Sequence, residues 1–132
     1  MKTYDAKQVN VIVSGRFLTG FAEGTFVNCE KDEERFETYV GAKGELSRSV
    51  NSDPLGTITV TLKSDSLSNG YLASLATSSN TFPVQVLDSN SGGFKAGGND
   101  CWIEKAAAKE FDVAVNEREW VIKVGDYDQR ES

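Results

Sequence analysis

Gly56-Thr57-Ile58-Thr59-Val60-Thr61-Leu62-Lys63 alternates between two kinds of side chain along its whole length. In an extended chain, Ile58, Val60 and Leu62 share one face, and Thr57, Thr59, Thr61 and Lys63 share the other. β-Branched residues on both faces favour a pleated sheet over a helix. The apolar face asks for a core. The threonine face, uncharged apart from Lys63, suits water or a wet cavity.

Strand signals of the same kind run outward in both directions. Residues 8–13 alternate Val9, Val11 and Val13 with Gln8, Asn10 and Ile12. Residues 25–31 and 33–40 are the next candidates. In the latter, Phe36 and Val40 lie on one side and Glu33, Arg35, Glu37 and Tyr39 on the other. Residues 41–44 make a turn, residues 45–50 a short return strand, and Asn51-Ser52-Asp53-Pro54 a second loop rich in turn formers. Downstream, residues 82–87, 101–105 and 117–126 read as strands, the last with Trp120, Ile122 and Val124 on one face. Residues 92–98 read as a flexible, glycine-rich loop. Residues 106–110 fit a helical turn or a bulged strand extension equally well.

One helix is expected over residues 69–78. Ser68 is placed to cap it, and Leu67 and Leu72 occupy the staple positions around the cap. Tyr71, Leu72 and Leu75 line one face for burial. Gly70 costs about 1 kcal/mol relative to alanine, which is tolerable near a terminus. The resulting expectation is a mainly β fold: one domain over residues 1–132, a β-barrel or sandwich with one packed α-helix and a long hairpin at about residues 40–56.

The 132 residues suit a single core. A net charge of -6 removes the basic footprint of a nucleic-acid binder and gains nothing at anionic membrane surfaces. No apolar run approaches the ~20 residues that span a bilayer, and the N-terminal residues lack the apolar stretch of a signal peptide. Cys29 and Cys101 stand far apart in no CxxC spacing, which fits reduced thiols better than a disulfide framework.

Chemistry is hard to build from this inventory. Histidine is absent, so no Ser-His-Asp or Cys-His arrangement exists within the chain. Residues 92–98 carry no GK[ST] and so make no phosphate loop. Asp126 and Asp128 lack the further ligands of a calcium loop. The acidic cluster of Glu30, Asp32, Glu33, Glu34 and Glu37 could supply paired carboxylates for glycoside hydrolysis, but no cluster of exposed aromatics marks a sugar cleft. A solvated strand face accounts for it better. No catalytic, cofactor-binding or metal-binding residue is assigned.

Several segments, in order, resemble the tube proteins of contractile-tailed (myovirus-type) bacteriophages and prophages. Tyr4-Asp5 followed by Val9-x-Val11-x-Val13-x-Gly15 is similar to that family's opening strand. Gly20-Phe21-Ala22-Glu23-Gly24-Thr25-Phe26-Val27 is similar to its Gly-Phe-x-Asp/Glu-Gly-Thr-Phe-Val segment. Val40-Gly41-Ala42-Lys43-Gly44-Glu45 with Ser47-Arg48 resembles its hairpin loop. The threonine-rich strand, the 66–72 helix start, Trp102-Ile103-Glu104-Lys105 and Arg118-Glu119-Trp120 complete the set. The glycine-rich residues 92–98 depart from the pattern.

The resemblance implies a structural subunit forming hexameric rings that stack into a hollow tube, related in fold to type VI secretion tubes. It implies a virion-tail location after assembly in the bacterial host cytoplasm. Its implied partners are other copies of the chain, a sheath, tape-measure and baseplate proteins, and DNA passing without specific binding. No membrane and no cofactor are implied. On that reading Glu33, Arg35, Glu37, Thr57, Thr59 and Thr61 are expected to face the lumen, giving it an acidic balance that discourages DNA from sticking. Gly41, Lys43, Glu45, Arg48 and Asp53 are expected to contact the next ring. Another tail or baseplate component of the same fold, or a non-catalytic β-sandwich binding module, are the alternatives.

Overall fold

The computed structural model describes residues 9–22, 26–32, 36–42, 44, 46–50, 54–78, 80–89, 93–107 and 116–131. In chain order the elements are β1 (Val9–Val13), β2 (Arg16–Phe17), β3 (Val27–Lys31), β4 (Phe36–Val40), β5 (Leu46–Val50), β6 (Gly56–Lys63), α1 (Ser68–Ala76), β7 (Phe82–Asp88), β8 (Phe94–Lys105), β9 (Glu117–Val124) and β10 (Asp128–Glu131). Eight strands form one antiparallel sheet in the order β2-β1-β7-β8-β9-β6-β3, with β10 on β8; β4 and β5 pair as a separate hairpin.

Period-2 alternation decides what is buried. Val11 and Val13, Val84, Ile58, Val60 and Leu62, and Trp120, Ile122 and Val124 are all fully buried and belong to one core cluster. Seven strands at about 4.8 Å spacing are too wide for one short helix rising about 1.5 Å per residue to cover. Accordingly the inward faces of β1, β6, β7, β8 and β9 pack into one cluster with one another as well as with Leu72 of α1. The core places the threonine face of β6 outward, as the alternation requires.

The helix start differs from expectation. Ser68 is its first residue rather than its cap, and its hydroxyl accepts a hydrogen bond from the Thr19 backbone N–H at 2.9 Å. Leu67 is the N-cap, with no side-chain capping bond; one residue before it, the Ser66 hydroxyl accepts from the Ser68 N–H at 3.2 Å and donates to the Thr19 carbonyl at 2.5 Å. Leu67 does not staple; it is 86% exposed. Three serines or asparagines within four residues make the cap ambiguous in sequence, and bonds to Thr19 engage the hydroxyls of both Ser66 and Ser68. Asn69 is buried and bridges the helix to the sheet. It accepts from Trp120 Nε1 at 2.9 Å and donates to the carbonyls of Lys63 and Ser66 at 2.8 and 3.2 Å.

From Phe94 onward the glycine-rich segment is also not a loop, while Gly92 lies outside the described residues. Phe94 to Lys105 is one strand, interrupted by a register shift against β7 between the pairs Phe82/Cys101 and Val84/Gly98. There the backbones approach so closely that a Cβ on Gly97 would strike the Val84 carbonyl, and Gly97 has φ +142°. A Cβ on Gly98 would meet the Asp126 carboxylate and Val124. Glycine is required here by packing, not by looseness. The last strand breaks as well. Instead of running on to residue 126, β9 stops at Val124, and Gly125-Asp126-Tyr127 leads into β10.

Candidate assembly surface

The outward face of β3, β6, β9 and the second half of β8 is defined by register. Glu30, Thr57, Lys123 and Trp102 form one cross-strand row; Asn28, Thr59 and Val121 form the next. Thr57, Thr59 and Thr61 are half-buried. Beyond the end of β3, Asp32 pairs with the Lys123 ammonium. The Thr57 hydroxyl donates to Asp32 Oδ1 at 2.6 Å, and Lys123 Nζ lies 3.5 Å from Thr57 Oγ1. Burial alone would push the Asp32 carboxyl upward, but its bonds to Lys123 and Thr57 outweigh that and hold it below the usual carboxylate value. Trp102 stays partly exposed, its indole N–H bonded to Glu104 at 2.9 Å.

Among the described residues the sheet ends at β3 with no further strand on its outer edge. The bonds Thr61 N–H to Phe26 O and Asp32 N–H to Leu55 O fix which residues of β3 face β6. Even-numbered residues of this segment bond inward. The N–H and C=O groups of Val27, Cys29 and Lys31 therefore point away from the sheet, and among the described residues no strand pairs with them. β3 carries no proline and no bulge to blunt that edge.

A second feature lies where β8 shifts register. Asp126 caps the freed backbone: its carboxylate accepts from the Asn99 N–H at 2.9 Å and the Asp100 N–H at 3.0 Å, and Gly125 N–H bonds Asp100 O at 2.7 Å. Burial raises the Asp126 pKa, yet the Asp100 and Asn99 N–H groups outweigh it and leave it below the ordinary value. Around this point Gln85, Lys95, Asn99, Asp128 and Arg130 line an open groove of about 270 Å³.

None of this assembles a reaction centre. Among the described residues no group of three or more His, Cys, Asp or Glu is placed to hold a metal ion. Both thiols are free. Burial pushes Cys29 up to about 11; burial and the neighbouring Asp126 charge push Cys101 up to about 12. Neither is a thiolate at neutral pH, so neither is poised as a nucleophile.

The residues singled out in sequence divide among several places. Thr57, Thr59 and Thr61 stand together on the large sheet. Glu37 belongs to the separate β4–β5 hairpin, opposite Ser49, while Glu33 and Arg35 lie outside the described residues. Gly41 is exposed at the hairpin turn, where Gly44 N–H bonds Gly41 O at 2.9 Å, and Arg48 pairs with Thr38 in the ladder. Lys43, Glu45 and Asp53 lie outside the described residues. Sequence reading missed the Asp32–Lys123 pair and the Asp126 cap. Both depend on strand register, and the only hint was a lone Asp beside Gly at a strand end.

No family model matches the chain. In sequence it is similar to structural protein ORF10 of Pseudomonas phage KPP10, with 28% identity over 92% of this chain and 78% of that protein. In structure it is similar to a chain of the sheath/tube terminator of an extracellular contractile injection system, PVC, in the extended state. There the TM-score is 0.66 at 8% identity, covering 98% of both chains. A chain of the PVC sheath–tube complex gives a TM-score of 0.64 at 10% identity, over 98% of this chain and 93% of that one. The tube-terminating cap of the anti-feeding prophage gives 0.62 at 8%, over 100% and 93%. The mainly antiparallel fold, with one helix among the described residues, is thus similar to that of these contractile-system chains, as the sequence resemblance implied.

Proposed function

We propose that this chain is a structural, non-catalytic subunit of a phage or phage-derived contractile tail tube. Hexameric rings of it stack into a hollow conduit for DNA, within a virion tail assembled in the host cytoplasm. The open β3 edge carries this reading: a five-residue strand with its outward backbone groups unpaired by any described strand offers a lateral joint for a neighbouring copy. The threonine face adjoining it gives a hydrophilic wall for the lumen, to which Glu33, Arg35 and Glu37 would add an acidic balance. The β4–β5 hairpin, which pairs separately from the large sheet, supplies the contact to the next ring through Gly41, Lys43, Glu45, Arg48 and Asp53. Sheath protein surrounds the tube; tape-measure and baseplate proteins meet it at the lumen and the end.

Lys31→Pro tests the joint. It deletes an outward N–H while leaving the Asp32 bond to Leu55 intact. The variant should fold as the wild type does and fail to form rings, by sedimentation and negative-stain microscopy. Rings formed normally by this variant would overturn the joint.

A second reading, a tube terminator, is favoured by one observation: the chain spans 98% of the PVC terminator chain and is in turn covered to 98% by it. Stacks of many rings grown from purified protein support the tube; single rings that never stack support the terminator.

A further inference from the structure

The middle of the threonine face carries a cation that is held down. Lys63 and Lys105 stand at strand ends, Lys63 directly opposite Glu117. Lys123 stands inside the face, between Thr57 on β6 and Trp102 on β8. Its ammonium is drawn sideways to Asp32, and the lysine side chain is left only 24% exposed. The Thr57 hydroxyl bonds the other oxygen of the same carboxylate at 2.6 Å, so one aspartate is held by two strands at once.

An ion pair this close to solvent contributes little to stability. Its effect on a passing polyanion is larger. A free lysine in the face would neutralise a phosphate and release a counterion, adding about 0.9 to the salt slope of binding for each contact. Sixfold repetition would turn one such lysine into a sticky belt in every ring. A lysine already committed to a carboxylate must break that pair first.

We propose that Asp32 masks Lys123, so that the middle of the threonine face, between the lysines at its strand ends, presents no fixed cation to the phosphates of nucleic acid moving across it. This rests on the tube reading, which puts DNA against that face. The mask itself is a property of the subunit and is measurable without rings.

The test is fluorescence anisotropy of purified subunit with a labelled DNA duplex at low salt, comparing wild type with Asp32→Asn, which keeps the side chain's shape and an acceptor for Thr57. Asp32→Asn should bind about tenfold tighter, with a salt slope steeper by about 0.9. Adding Lys123→Gln should return binding to the wild-type level. Glu131→Gln, the same change in net charge at an exposed strand end, should leave binding unchanged. Glu30 faces outward in the same row and could recapture the lysine, so Asp32→Asn with Glu30→Gln is the second variant and should bind at least as tightly. No gain in either variant, or a gain that survives Lys123→Gln or appears equally in Glu131→Gln, overturns the mask. Failure to form rings would count against the tube reading alone and leave this result standing.

Discussion

Replacing Asn69 by leucine should cost more stability than its single place on a short helix suggests. The two side chains branch at the same carbon with the same number of heavy atoms, and leucine is the better helix former, so propensity predicts no loss, and any overpacking by the bulkier methyl groups is common to both backgrounds compared below. The loss comes from the polar accounting. Asn69 is 4% exposed and Trp120 is fully buried, so no water replaces the acceptor that Trp120 Nε1 now has at 2.9 Å. An orphaned buried N–H costs about 1–3 kcal/mol. The carbonyls of Lys63 and Ser66 lose the Asn69 amide but keep backbone donors, from Ser66 N–H and Asn69 N–H. Those two losses add only about 0.5 kcal/mol or slightly more each. The sum is roughly 2–4 kcal/mol, or a fall in Tm of about 10 °C for a domain of this size. Urea unfolding followed by far-UV circular dichroism, at a concentration where the protein is monomeric, measures it. Trp120→Phe removes the donor beforehand, and in that background Asn69→Leu should cost about 1–3 kcal/mol less. A cost under about 0.5 kcal/mol, or an equal cost in both backgrounds, would refute the bridge.

Gly97→Ala forces a Cβ into the Val84 carbonyl at a left-handed φ and should destabilise by about 3 kcal/mol or more, or prevent soluble expression; a melt within about 1 kcal/mol of wild type would contradict the register shift. Because the Asp126 carboxyl is held below its ordinary value, its contribution to stability is complete above the unfolded pKa and disappears as pH falls through the folded one. The urea midpoint of wild type should therefore drop between about pH 5 and pH 3, and Asp126→Asn should show a smaller drop. Cys101, buried with its thiol pushed up to about 12, should resist iodoacetamide at neutral pH until the protein unfolds; rapid labelling of the native protein would show that β8 opens.

How far the sequence could be read follows from what each feature depends on. The threonine-rich β6, the valine strand β1 and the core face of β9 were legible because alternation is local, and one residue's burial predicts that of its neighbours two places away. The helix was legible from Tyr71 and Leu72, while its start was not, since both Ser66 and Ser68 are drawn into bonds with the distant Thr19 backbone, which no local pattern marks. Residues 92–98 misled because glycine serves both loose loops and tight approaches, and only the position of the Val84 backbone distinguishes them. The break at Gly125 and the Asp126 cap arise from an extra residue in β8 that no local pattern marks. Asp32 and Lys123 look like ordinary members of a charged surface until the register of β3, β6 and β9 brings them together.

Electron cryo-microscopy of the purified protein, with baseplate template supplied if rings do not form unaided, tests the account most directly. Sixfold rings joined through Val27, Cys29 and Lys31 of β3 are expected, with Thr57, Thr59 and Thr61 on the inner wall. Rings whose β3 edge stays free, a threonine face turned to the exterior, or monomers under every condition would contradict it.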